Sequence, residues 1–347
     1  MKKIICILIV LVIVTTKLSA LPDSHAPIGV MGDHSHLKGE HMWSYRFSVM
    51  EMNSIYTGSE KVDAVSGYMS KPTDMKMSMH MLGYMVGVSD KITIMGMVPY
   101  MSSSMTATQM SKENTVESAG LGDISATLLY KLPTNSTINS NIKLGIGLPT
   151  GKIDIKDTMA MGSEGILGYG MQLGSGSFEL RPGSTIQKYF EWGSIGGQFD
   201  SKIRVNENQK NYKLGNELSL SAWIAKRWTS IRINSFRFKY STSFRLTYYT
   251  KDSVSGSHEG ISSPMMSPAM DANNSGSRLW TVSLGSNYEF KSGYRLAMET
   301  NIPVSQYYTG SQVGQDIYYQ FDKFQLSQCF NNLIKNAVEA VEKIPNP

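Results

Sequence analysis

Methionine and histidine are the residues of this sequence whose chemistry most needs explaining. The chain has 347 residues, of which 23 are methionine and 6 are histidine. Met42, Met50 and Met52 occupy alternate positions of one segment. Met77, Met79, Met81 and Met85 do so in a second, and Met95, Met97 and Met101 in a third. Thioethers are soft ligands suited to monovalent copper, and they also make adaptable apolar surface. Such a wall is a lining for a hydrophobic solute, a path for a soft metal, or plain filling of a narrow interior. His25, His34, His36 and His41 cluster early, with Asp33 and Glu40 among them. Imidazole and carboxylate at these spacings can contact copper or zinc. The alternative is a structural role, and no other cofactor is expected.

Signals for catalysis are weak. There is no HExxH pair, no Cys-x-x-Cys, no phosphate loop and no dinucleotide fingerprint. Gly174-Ser-Gly176 reads as a turn, because no helix follows to make a nucleophile elbow. His80 sits on an apolar strand face with no nucleophile to pair with, and reads as a lipid-facing or girdle residue. The expectation is a protein that is not an enzyme.

Lys2 and Lys3 precede an apolar run over residues 4–14, and Leu18-Ser19-Ala20 offers a cleavage site. That is a secretory signal over residues 1–20, too short to span a bilayer. Residues 21–41 then form a histidine-containing segment, which could enter an interior as a plug or lie on a rim. Cleavage leaves one cysteine, Cys329, so packing or barrel closure must replace disulfides. Apolar residues make up 41% and mean hydropathy is −0.20, which excludes a helical membrane bundle. A formal charge of +5 without Lys/Arg runs gives no sign of nucleic acid as a partner.

The elements that must position these side chains are β-strands. Trp43, Tyr45, Phe47 and Val49 alternate with polar positions, as do Ile142, Leu144, Ile146 and Leu148 further on. About twelve such strands are legible between residues 42 and 321. They fall near 42–53, 76–88, 91–101, 121–132, 138–148, 177–188, 194–205, 212–224, 230–249, 279–290, 294–304 and 314–321. Short connections alternate with long ones. Residues 54–75, 102–120, 149–176 and 250–278 are long loops, and 255–277 reads as mobile. Short turns on one side and long loops on the other are the pattern of an outer-membrane barrel. The fold class is therefore all-β, an antiparallel transmembrane barrel of a Gram-negative outer membrane, with a short α-helical tail. Arg46, Lys143, Arg237 and Arg245 lie on the polar face. Facing lipid, each would cost about 2–4 kcal/mol near the midplane, so the polar face is the lumen. The methionines share it. Candidate lumen residues are thus Arg46, Met50, Met52, Met77, Met79, Met81, Met85, Met95, Met97, Arg237 and Arg245.

Several segments together resemble one family. They are His25-Ala-Pro-Ile-Gly-Val-Met-Gly-Asp-His34, Lys38-Gly-Glu40, Ser44-Tyr-Arg-Phe47, Met81-Leu-Gly83, Gly120-Leu-Gly-Asp123, Leu148-Pro-Thr-Gly151 and Met171-Gln-Leu-Gly-Ser-Gly176. The pattern is similar to the outer-membrane transporter-like family related to meta-pathway phenol-degradation proteins, over residues 25–321. The resemblance implies a barrel channel for small, often aromatic or hydrophobic, solutes crossing by passive diffusion. Partners would be membrane lipid, lipopolysaccharide and the barrel-insertion machinery. A non-transporting barrel for copper handling or surface interaction is the second reading.

From Asp322 the spacing changes. Leu326, Phe330, Leu333, Ile334, Ala337 and Val341 fit one helix face. Asn332-Leu-Ile-Lys-Asn336-Ala resembles the N-box of sensor histidine kinases, with Asn336 as the magnesium-contacting amide and Asn332 its partner. No nucleotide lid and no phospho-accepting helix accompany it, so neither ATP binding nor kinase activity is expected. Residues 322–347 read as a kinase fragment fused to a barrel ending at Phe321, or as a periplasmic helix of the barrel's own. Deleting them is expected to leave assembly intact.

Overall fold

The structure is a computed structural model that describes residues 25–325, apart from 64, 161, 229–230, 234–235, 262 and 291–294. The expected signal segment and residues 326–347 of the expected helical tail, with Cys329, Asn332 and Asn336, lie outside the described residues.

Period-two patterning is realised as twelve antiparallel strands closed into a ring. They are β1 (His41–Met52), β2 (Ser70–Ser89), β3 (Ile92–Gln109), the two-part β4 (Lys112–Leu121 and Ile124–Lys131), β5 (Ile138–Leu148) and β6 (Glu179–Tyr189). Then follow β7 (Gly193–Arg204), β8 (Glu217–Arg227), β9 (Phe236–Lys251), β10 (Ser277–Phe290), β11 (Arg295–Gly314) and β12 (Tyr318–Gln325). Each pairs with the next, and β12 closes on β1, with Phe47 opposite Phe321 and Ser44 opposite Gln325.

The two faces have opposite chemistry. On β5, Ile142, Leu144, Ile146 and Leu148 are exposed, while Lys143 between them is buried. The same holds on β10 and β11, where Leu284 and Met298 face out and Ser283, Glu299 and Asn301 are buried. An apolar exterior around a polar interior inverts the soluble pattern and fits a lipid surround.

Several boundaries differ from the sequence reading. Residues 102–120 are not a loop: β3 runs on to Gln109 and turns back at once into β4. Met110 and Ser111 make that turn with φ of 47° and 63°. A two-residue turn of this hand normally announces itself with Asn or Gly, and Met-Ser does not. Likewise β2 begins at Ser70 and β11 continues to Gly314, through stretches read as loop. Beyond the bilayer the outward face meets water and not lipid, so apolar alternation lapses although the strands persist. A separate piece, Ile231–Ile233, pairs with the start of β9, so the predicted strand over 230–249 contains a hairpin.

The largest correction concerns the seam. Strand β12 does not stop at Phe321 but pairs with β1 as far as Gln325. Asp322 is a strand residue, 1% exposed, facing the lumen 3.6 Å from Arg46. It belongs to the barrel, whose closing strand reaches at least Gln325.

The outer loops also differ from expectation. The segment read as mobile, 255–277, is packed: His258 and Pro268 are buried, and His258 Nε2 meets the Ile153 carbonyl at 3.1 Å. Asp123, at the break in β4, accepts from the Gly151 amide at 2.9 Å and from the Ser175 amide and hydroxyl at 2.7 Å. These bonds tie the loop 149–178 to the rim. Its buried Leu167, Tyr169 and Met171 roof the outer end of the barrel.

Candidate functional site

The lumen is filled from the N-terminal side by residues 25–36. A chain without secondary structure can be buried only if its peptide groups find partners. Here the barrel wall supplies them. Arg46 donates to the Ile28 carbonyl at 2.6 Å, and Arg295 to that of Ala26 at 3.1 Å. Lys143 of β5 and Gln198 of β7 both donate to the Met31 carbonyl at 2.8 Å. Asn141 and Asn139 take the carbonyls of Gly32 and Asp33 at 3.2 and 3.1 Å. The His36 amide donates to Thr93 Oγ1 at 2.8 Å. Ala26 and Val30 pack on buried Trp223. The segment leaves the lumen across Gly87, where the Gly39 amide donates to the Gly87 carbonyl at 2.8 Å. A side chain there would collide with the Leu37 carbonyl.

The charges of the wall are neutralised in place. Arg245 is held by Glu299 and by Asn301 Oδ1 at 3.0 Å. Lys143 meets Asp200 at 2.8 Å, and Arg204 sits between Glu179 at 3.1 Å and Glu217 at 2.7 Å. A charge buried in a lumen wall needs such a partner.

One sector of the wall is methionine. Strand register sets Met42 opposite Met85, and Met85 opposite Met95. Nearer the outer end, Met50 faces Met77, Met52 faces Met75, and Met75 faces Met105. Two cavities border this sector. The inner one, about 20 Å³, lies where the plug meets Met42, Met81, Met85, Met95 and Met97. The outer one, about 180 Å³, lies under the loops against Met52, Met75, Met77 and Met105, with Val254 and Val313 opposite.

Three of the four early histidines converge. His25 Nδ1 and His34 Nδ1 are 3.2 Å apart, and Asp33 Oδ1 is 2.8 Å from His34 Nδ1. The rings of His34 and His36 meet edge to face at 4.9 Å. Burial, then repulsion from His34 and Arg295, pushes His25 down to about 3. Burial, then His34 and His25, does the same to His36. Burial alone would raise the carboxyl of Asp33, but its histidine neighbours hold it well below the usual carboxylate range.

No protein-family model matches the sequence, and no curated protein sequence matches it. Solved structures do. An outer-membrane channel from Pseudomonas putida F1 superposes over 85% of this chain and 98% of its own, at a TM-score of 0.57 and 10% identity. The β domain of the Bordetella autotransporter BrkA gives 0.43 at 11% identity, covering 82% of this chain and 99% of its own. The NanC porin gives 0.40 at 10%, covering 82% and 100%. Only the first exceeds 0.5, and at that identity the likeness is one of fold.

The chain is an outer-membrane β-barrel.

Within this barrel the predicted residues divide. Arg46, Arg245 and the methionines of β1, β2 and β3 share the inward face by register. Arg237 lies on β9, among residues whose side chains are not described. His41 departs from expectation: it is on the outward face, stacked on Tyr84 with its Nδ1 at 2.5 Å from the hydroxyl. One residue of offset from Met42 turns a strand side chain to the other face, so His41 is separated from the other three. His80 is on that outer face too, bonded to Tyr45 at 2.6 Å. Sequence reading missed Met31, because it lies in the plug. Met75 and Met105 were missed because they lie beyond the alternating stretch. Asp322 was missed because it was assigned to the tail.

Proposed function

We propose that this barrel is a channel that admits small apolar solutes, aromatic ones included, by passive diffusion. The 180 Å³ outer cavity carries the reading. An apolar protein cavity of about 150 Å³ is known to hold benzene, so this one has room for a single ring. Its methionine side adapts to guests of different shape, and Lys251, Asn274 and Gln312 on its rim offer polar contacts for a hydroxyl or carboxyl. The sequence's likeness to the phenol-degradation-related barrels favours the same solute class. The solved channel from P. putida supports a channel role at the level of fold. Onward passage requires the plug to shift, since residues 25–36 occupy the lumen below. Lipopolysaccharide and lipid against the outer belt, and the insertion machinery, are the partners we propose.

Initial uptake of radiolabelled toluene and phenol by energy-depleted cells with an intact lipopolysaccharide leaflet tests this. Cells making the barrel are expected to take up both faster than empty cells. Ala269→Trp, which fills the outer cavity, is expected to return uptake at least tenfold toward the empty-cell rate. Equal uptake with and without a correctly assembled barrel refutes the proposal.

A further inference from the structure

We infer that the inner cavity is a binding site for one soft monovalent cation, Cu(I) or Ag(I), built jointly by plug and wall. Six thioethers border it: Met31 from the plug, Met42 from β1, Met81 and Met85 from β2, and Met95 and Met97 from β3. Thioether sulfur is a soft donor that favours Cu(I), and imidazole nitrogen is a ligand that copper also accepts. His34 supplies the imidazole, for it lines the same cavity. Its Nδ1 is engaged by Asp33 at 2.8 Å, while its Nε2 is buried and meets no hydrogen-bond partner among the described residues. A carboxylate on one ring nitrogen fixes the tautomer and leaves the other nitrogen's lone pair free for a metal. The neighbouring His36 repeats the arrangement, with Nδ1 facing Glu40 at 3.6 Å and a buried, unpartnered Nε2.

Size and charge agree with this. About 20 Å³ holds one atom-sized guest and no organic solute. Methionine supplies six of its twelve lining residues, and Asp33, His34, Ser44 and Arg46 supply the polar ones. Arg46 also borders the cavity, and its guanidinium touches the Met31 sulfur. Its positive charge is met by Asp322 at 3.6 Å, and Asp33 supplies a further negative charge beside His34. A divalent ion such as zinc would instead favour the nitrogen and oxygen set of His25, Asp33 and His34, whose ligating atoms lie within 4.8 Å of one another. The thioether wall selects against that choice. Because Met31 and His34 belong to the plug, a bound cation would also pin the plug to the wall. This site is distinct from the outer cavity, so it stands whether or not apolar solutes cross.

The test titrates the purified full-length barrel with Ag(I), and with Cu(I) against a competing chelator, and counts metal retained after desalting. One equivalent per chain is expected, with sulfur and nitrogen neighbours in its X-ray absorption spectrum. Changing Met81, Met95 and Met97 together to Leu is expected to weaken binding at least 100-fold, and His34→Gln at least 10-fold. Changing Met52, Met75 and Met105 to Leu serves as a control for surplus methionine and is expected to leave affinity unchanged. Heat-modifiable migration on gels confirms that each variant has closed its barrel. Three results overturn the inference: no saturable equivalent, equal weakening by both triple variants, or tight binding of zinc but not of silver.

Discussion

Substituting Gly29 by alanine should unseat the plug. Gly29 sits against the most heavily bonded cation of the lumen. A Cβ built on it would lie 2.6 Å from Arg245 Cζ and 2.8 Å from Glu299 Oε1. Both side chains are buried, at 4% and 2% exposure, and Arg245 is further held by Thr247 and Asn301. Relief by moving Arg245 would cost one or more charge-assisted bonds, each about 1.5–3 kcal/mol. The plug has no secondary structure of its own, so shifting it is the alternative, and the preference for the seated state falls by a similar amount. At 1.4 kcal/mol per tenfold, that is about a 10- to 100-fold shift toward the released segment. Hydrogen exchange followed by mass spectrometry reads this directly for residues 26–36, whose amides are protected only when the segment is seated. Exchange there should quicken by the same factor, while β5 and β10 stay protected. If Gly29→Ala assembles normally and exchange over 26–36 is unchanged, the plug is not seated against Arg245 and Glu299.

Other consequences follow from the same contacts. Ending the chain after Gln325 should leave barrel closure and urea stability unchanged. Ending it after Phe321 removes Asp322 from beside Arg46, and is expected to cost about 3–5 kcal/mol in unfolding measurements. Acid should release the plug. His25 and His36 are held near 3 when seated, against 6.5 when free, so the released segment binds more protons between those values. Their contribution to seating is complete above about pH 6.5 and declines as pH falls toward 3. Asp33, held low by its histidines, loses its own contribution below its free value of 3.8, in the same direction. Conductance in planar bilayers should therefore rise as pH is lowered from 7 to 4; a flat or falling profile contradicts this. Leu144→Arg, on the exposed face near the middle of β5, should destabilise by about 2–4 kcal/mol in urea titrations, as a charge facing lipid does.

The architecture was legible because a barrel strand writes its two environments in alternate letters. Leu144 and Lys143 cannot exchange faces without placing a charge in lipid, so the inward side of β5 followed from its residues alone. The same reasoning put the methionines of β1, β2 and β3 on one surface. Strand ends were less legible. Outside the bilayer no apolar face is demanded, and the Met110-Ser111 turn lacks the residues that usually mark one. The closing strand was cut at Phe321 because Asp322 looks like a break, although in the barrel it is the buried counterion of Arg46.

The barrel, its polarity and the methionine face are written along the chain, because these depend on neighbours two residues apart on a strand. That residues 25–36 lie in the lumen, that His34 meets the methionine wall and that His41 does not are set by contacts far apart in the chain. Those facts depend on which carbonyl finds Arg46, Lys143 or Arg295 across the barrel. A segment without periodicity carries no signal for such partners. Its place is fixed by peptide groups that must be hydrogen-bonded once they leave water.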